Sequence, residues 1–302
     1  MATRNVNITY HHSSGGRSLH KLTEILSVYS YYYLLGIECS IKRHRSWGGR
    51  HQRIIPYERF LDLTDGDLDP DLPTLEIDRY TKKDVSNWWG LSYEKFTTVK
   101  KEIAEFVAHH DNDINVVFRH LSTVQPHQVY NWYNNDLIDS DIYTEKLIPK
   151  LRSVFDCEEY PLSERLEQIA IHIRRGDMYW QLVGAGKAPS NSEYADIIKM
   201  LTEKYELPVV IYTETVKSAD LDELASDTVT ICRGTRNDTK RDFYNMARSR
   251  VLVPACESAY SGWAGLINTD VVGLLCKCNM VKSLQFETPP PNMFYIDTPA
   301  LK

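Results

Sequence analysis

From about residue 160 onward the chain alternates short apolar runs with helical stretches, and this pattern more than any other restricts its fold. "QIAIHIRR", "LPVVIYTE", "TVTICRG", "RVLVPAC" and "DVVGLL" read as strands. Between them lie "SEYADIIKMLTEKY", "SADLDELAS", "TKRDFYNMARS" and "SAYSGWAGLIN", which read as helices. Strands that are apolar on consecutive positions are buried on both faces. That is the condition of a parallel sheet covered by helices.

The first half carries a looser version of the same grammar. "NVNITY" is a β-branched strand, "HHSSGG" punctuates it, and Leu19, Leu22, Ile25, Leu26 and Tyr29 follow at helical spacing up to Gly36. "IECSIKRH" returns as a strand, residues 44 to 90 are less periodic, and 92–110, "INVVFRHL" and 136–155 read as helix, strand and helix. The expectation is two Rossmann-like α/β domains, an N-terminal one over 1–160 and a C-terminal one over 161–302.

Composition narrows the partners. The net charge of −6 provides no broad footprint for nucleic acid, and no local basic patch supplies one. The N-terminus lacks the apolar core of a secretory signal, and no run approaches the roughly 18 apolar residues of a membrane span. A cytoplasmic protein is expected. The six cysteines are scattered, several inside apolar runs, as suits free thiols in a reducing compartment. Cys276-Lys-Cys278 is a lone pair and falls short of a four-ligand zinc site. "DGDLDPD", 65 to 71, invites a calcium reading, with Glu76 at the twelfth position counted from Asp65. Pro70 and Pro73 interrupt such a loop, which reads instead as solvated and acidic.

The most informative stretch is "IAIHIRRGDMYW", 169 to 180. Side chains alternate along a strand, so His172 and Arg174 share one face at its carboxyl end. Open α/β sheets bind ligands at that edge, and a guanidinium recognises a phosphate oxygen pair bidentately. Arg175 would join the isoleucine face only if the strand continued; Gly176 suggests a turn, leaving Arg175 exposed toward Asp177 or a ligand. Arg175-Gly176-Asp177 spells an adhesion tripeptide, but an apolar strand leading straight into it argues against a displayed tip.

"HIRRGD" resembles the His-x-Arg-Arg-x-Asp motif of the fucosyltransferase superfamily, which includes α1,2-, α1,6- and nodulation fucosyltransferases and, more distantly, protein O-fucosyltransferases. "RDFYNMARSRVLVPACESAYSGWAGLI", 241 to 267, is similar to that family's second and third motifs, and "HHSSGGRSLHKLTEILSVYSYYYLLG" to its first Gly-rich loop and helix. Residues 44 to 160 show negligible similarity.

The resemblance implies a GT-B-like α/β fold, with two Rossmann-like domains facing across a cleft. It implies an inverting enzyme that transfers fucose from GDP-β-L-fucose to a glycan hydroxyl without a metal or other cofactor. It places Arg174 on the β-phosphate and His172 beside the nucleotide, Asp242 on the guanine edge, and Ser258 with a weaker Ser261 at the phosphate. Glu257 departs from the small polar residue common there. Gly15, Gly16 and Arg17 would contribute N–H groups and a cation. Asp177 would hold an arginine or handle the acceptor's proton. The general base is not placed uniformly in the family; His12 is favoured over His11, Asp177 and Glu193. Another nucleotide-sugar transferase of GT-B type, or a non-catalytic glycan-binding module, are the alternative readings.

Overall fold

The computed structural model describes residues 6–11, 39–43, 64–65, 69–77, 93–119, 141, 145, 148–175, 189–214, 219–235, 238–255, 258–267, 272–276 and 293–296. The chain divides into two compact units, Met1–Val154 and Phe155–Lys302.

The first unit contains β1 (Val6–His11), β2 (Cys39–Arg43), β3 (Thr64–Asp65), β4 (Thr74–Ile77), α1 (Tyr93–Ala108) and β5 (Ile114–Arg119), and α2 (Ile148–Phe155) ends at the division. Its strands form a parallel sheet in the order β3-β2-β1-β5-β4. Ile114, Val116 and Val117 of β5 are buried, as are Ile77 of β4 and Val99 and Ile103 of α1. Asn115 is also buried, and its amide donates to the Asp69 carbonyl at 2.7 Å. The Asp69 carboxylate accepts the Asp71 N–H at 3.0 Å. One aspartate of the acidic stretch thus shapes the turn that delivers β4.

The second unit runs β6 (Leu166–His172), α3 (Asn191–Tyr205), β7 (Val209–Glu214), a 3₁₀ turn (Ala219–Leu224), β8 (Val229–Gly234), α4 (Thr239–Arg248), β9 (Ser249–Val253), α5 (Ala259–Ile267), β10 (Val272–Cys276) and β11 (Met293–Ile296). The sheet order is β11-β10-β9-β6-β7-β8, all parallel. Counted from β6, this is the doubly wound order of a Rossmann sheet. The α/β class with two Rossmann-like units, the parts of a GT-B-like architecture, is the one observed.

The isoleucines of β6 explain the packing. Ile169, Ile171 and Ile173 bury with Val209, Ile211, Val251 and Val253 against Tyr194, Ile197, Ile198 and Leu201 of α3. Each such side chain contributes roughly 1.5–3 kcal/mol when removed from water. Ser190 starts α3 with a reciprocal capping box, and Glu206 closes it in the left-handed conformation at φ 53°. On the other face, α4 packs on β6 and against α5.

Four elements differ from the sequence reading. "SADLDELAS" forms a 3₁₀ turn, and the short strands β3, β4 and β11 come from segments that had no strand signal. The helix expected over 17–36 and the triple-proline segment lie outside the described residues. Among the described residues, no helix is long and apolar enough to cross a membrane.

Candidate functional site

In a parallel sheet every carboxyl end lies on one edge, and the loops and helix N-termini that follow gather there. The order of the second sheet reverses between β6 and β9, and a crevice opens at such a switch point. His172 ends β6 on one side of it. Pro254, Ala255 and Ser258 lead from β9 into α5 on the other.

His172 is 8% exposed, and its Nδ1 lies 2.9 Å from the Ser261 hydroxyl. Ser261 is wholly buried, and its oxygen also accepts the Ala255 N–H at 3.1 Å. One serine therefore joins the end of β6 to the turn after β9. The Tyr260 ring meets the imidazole edge-on, with centroids 5.5 Å apart, and its hydroxyl donates to the Thr239 carbonyl at 2.6 Å. Tyr260 thereby ties the first turns of α4 and α5 to His172. Burial, seconded by the charge of Arg174, pushes the His172 imidazole down to about 3, so the ring is neutral at physiological pH.

Arg174 follows His172 by two residues and is half-buried. Arg175 corrects the expectation of an exposed guanidinium. The strand's alternation persists past its last paired residue, as the bond from Ile173 N–H to the Tyr212 carbonyl at 3.0 Å shows. Arg175 consequently joins the isoleucine face and is 1% exposed. Its Nη2 donates to Asn191 Oδ1 at 2.7 Å, its Nε lies 3.3 Å from Asp220, and its guanidinium sits 5.9 Å from the Tyr194 ring centre. These contacts tie β6 to α3 and the 3₁₀ turn, so Arg175 acts as a structural anchor.

Ser258 occupies the position before α5, where its carbonyl accepts the Gly262 N–H at 3.0 Å, and it is half-buried. Ser261, expected as a second phosphate contact, faces inward with its hydroxyl committed to His172 and Ala255. Trp263 is core.

Asp242 lies in the first turn of α4 and is 6% exposed. Arg241 donates to its Oδ1 through Nε at 3.1 Å and Nη2 at 2.9 Å, and Cys232 Sγ lies 3.9 Å away. Burial raises the Asp242 carboxyl above the usual range, partly offset by Arg241. Its Oδ2 rests against Gly234, the last residue of β8. A Cβ there would stand 2.1 Å from that oxygen.

Glu193, weighed as a base, is the capping-box acid of α3: its Oε2 accepts the Ser190 N–H at 2.6 Å and hydroxyl at 2.8 Å. His12, Gly15, Gly16, Arg17 and Asp177 lie outside the described residues. Sequence reasoning missed Gly234 and Tyr260, because each acts through a side chain on another element.

No family model matches the chain, and no curated protein matches it. Solved structures of similar fold include POFUT1 in complex with GDP-fucose, at 10% identity and a TM-score of 0.47, over 90% of this chain and 95% of that one. The E. coli heptosyltransferase WaaC with ADP-2-deoxy-2-fluoro heptose matches at 11% identity and a TM-score of 0.45, over 98% and 94%. The fucosyltransferase NodZ from Bradyrhizobium matches at 17% identity and a TM-score of 0.42, over 89% and 94%. At these identities the likeness is one of fold.

Proposed function

We propose that the chain is a nucleotide-sugar glycosyltransferase that moves L-fucose from GDP-β-L-fucose to a glycan hydroxyl with inversion and without a metal. The observation that carries this reading is the position of the His-x-Arg-Arg sequence. His172 and Arg174 stand at the carboxyl end of β6, at the switch point, opposite the N-terminus of α5.

Breaking the anomeric C–O bond to the diphosphate puts charge on its bridging oxygen. Arg174 and the first N–H groups of α5, with Ser258 beside them, supply fixed donors for that charge. The acceptor hydroxyl forms the new bond on the opposite face of the sugar, and its proton passes to a base. His12 is the favoured base and Asp177 the second candidate. The transition state is oxocarbenium-like and demands little nucleophilic push. Gly15, Gly16 and Arg17 complete the phosphate grip in this reading. The nucleobase falls to Asp242, whose Oδ2 receives no hydrogen bond among the described residues.

A second donor class is favoured by one feature. A guanine edge offers two donors to one carboxylate, yet both bonds from Arg241 occupy Oδ1. The open Oδ2 alone suits a single donor such as the amino group of adenine, so an ADP-sugar is the competing donor.

Calorimetry in EDTA with GDP-fucose, GDP-mannose, an ADP-sugar and a UDP-sugar decides between them. The proposal expects GDP-fucose to bind without metal and GDP to be released in the presence of glycan. Failure of every GDP-sugar to bind overturns it. Binding of glycan alone, undiminished in Arg174→Ala and without GDP release, would make the chain a lectin-like module.

A further inference from the structure

The bond between His172 and Ser261 joins groups 89 residues apart, and its direction settles more than position. A hydroxyl carries one proton and two lone pairs. One lone pair of Ser261 Oγ takes the Ala255 N–H. Among the described residues, the remaining contact of that oxygen is His172 Nδ1 at 2.9 Å. If Nδ1 carried the imidazole proton, it would donate to Ser261, and the serine proton would be left without an acceptor in a fully buried site. If Nδ1 is bare, it accepts the serine proton, so the hydroxyl, Nδ1 and the Ala255 N–H are all satisfied. Burial without partners is costly, so the second arrangement prevails.

We propose that Ser261 is a positioning residue that fixes His172 in the Nε2–H tautomer, making it a permanent neutral hydrogen-bond donor at the switch-point crevice. The purpose of that donor rests on the nucleotide-sugar reading above: Nε2–H offers a proton to an anionic diphosphate oxygen. A bare Nε2 would instead aim a lone pair at the same anion. Three features of the surroundings agree. The Tyr260 ring packs edge-on to the imidazole and limits its rotation. The ring stays uncharged at physiological pH. The neighbouring Arg174 supplies the cation, so the imidazole need not. In this arrangement His172 has no lone pair on Nε2 and takes no proton from an acceptor; it serves as a donor and not as the base.

The test is the ring ¹⁵N spectrum of His172 in the full-length protein, assigned with His172→Gln. The expected wild-type signature is a protonated Nε2 and a bare Nδ1, unchanged between pH 8 and 5. Ser261→Ala should lose the distinction between the two nitrogens, and Ser261→Thr, which keeps a hydroxyl, should retain it. A protonated Nδ1 in the wild type overturns the proposal, as does an unchanged tautomer in a folded Ser261→Ala. If Ser261→Ala does not fold, the wild-type spectrum and Ser261→Thr still decide. Calorimetry with GDP gives a second readout. Ser261→Ala is expected to weaken GDP about ten- to a hundredfold, the range for losing one hydrogen bond to a charged group. Weakened GDP with an unchanged tautomer would mean that Ser261 touches the phosphate itself, and overturns the positioning role. Should the wild type bind no nucleotide, the functional reading fails, while the spectrum judges the tautomer independently.

Discussion

The Asp242 carboxylate fills the space that a side chain on Gly234 would need: a Cβ built there would lie 2.1 Å from Oδ2 and 3.4 Å from Cγ. Arg241 holds the other oxygen, so the carboxylate cannot swing aside without breaking two donor contacts. The end of β8 and the first turn of α4 are therefore matched by the absence of one methyl group. Gly234→Ala should cost on the order of 1–3 kcal/mol, the usual range for overpacking. It should also weaken nucleotide binding, since Asp242 must move. Urea denaturation and GDP calorimetry measure the two effects, and an unchanged affinity would separate Asp242 from the base site.

The adjacent arginines should dissociate stability from binding. Arg175 is buried on Asn191 and Asp220. Removing it leaves those groups and Tyr194 without their central partner, and breaking a buried pair costs about 3–5 kcal/mol. Asp220 is one-third exposed, which discounts that toward about 2–3 kcal/mol. Lysine has no fork and should not restore the Asn191 bond. Arg174→Ala should lose less stability than Arg175→Ala yet abolish GDP binding. Thermal unfolding beside calorimetry for both variants checks the pair; the reverse pattern would exchange their roles.

Much of this was legible from the sequence through periodicity. The apolar runs of 166 to 276 and the two-residue period of β6 lead to the parallel sheet, the switch point and the shared face of His172 and Arg174. The same period would have buried Arg175. Gly176 signals a turn, but the ladder continues through Ile173 and carries Arg175 into the core. The strands of β4 and β11 are four residues each, too short for a periodic signal, and β4 follows directly on Pro73. Gly234 and Tyr260 were illegible for a different reason. Their roles are set by Asp242 and His172 on other elements, and a single sequence carries no trace of such contacts. The capping role of Glu193 was legible: "SNSE" is a capping box by spacing alone.

That capping box gives a clean negative test. Glu193→Ala should cost about 1 kcal/mol of stability by opening the first turn of α3. Glu193→Gln, which can still accept the Ser190 N–H, should cost less. Neither should change the rate of sugar transfer, because the carboxylate is committed to Ser190. A large rate loss in a folded Glu193→Gln would return it to the list of bases.

The pH dependence of stability should carry the imprint of His172. In the unfolded chain its imidazole takes up a proton near pH 6.5. In the folded protein burial, with Arg174 beside it, holds that uptake off until about pH 3. Between those values the unfolded state binds a proton that the native state does not. Stability therefore rises with pH across this window and is lost as pH falls through it. The slope due to this one group approaches about 1.4 kcal/mol per pH unit. In His172→Gln that increment should be missing, so the stability difference between wild type and variant shrinks as pH falls from 6.5 to 5, before most carboxylates titrate. Urea unfolding of both proteins at half-unit steps measures it. Parallel pH profiles would mean that the folded imidazole protonates as readily as the unfolded one, and that water reaches the ring at the end of β6.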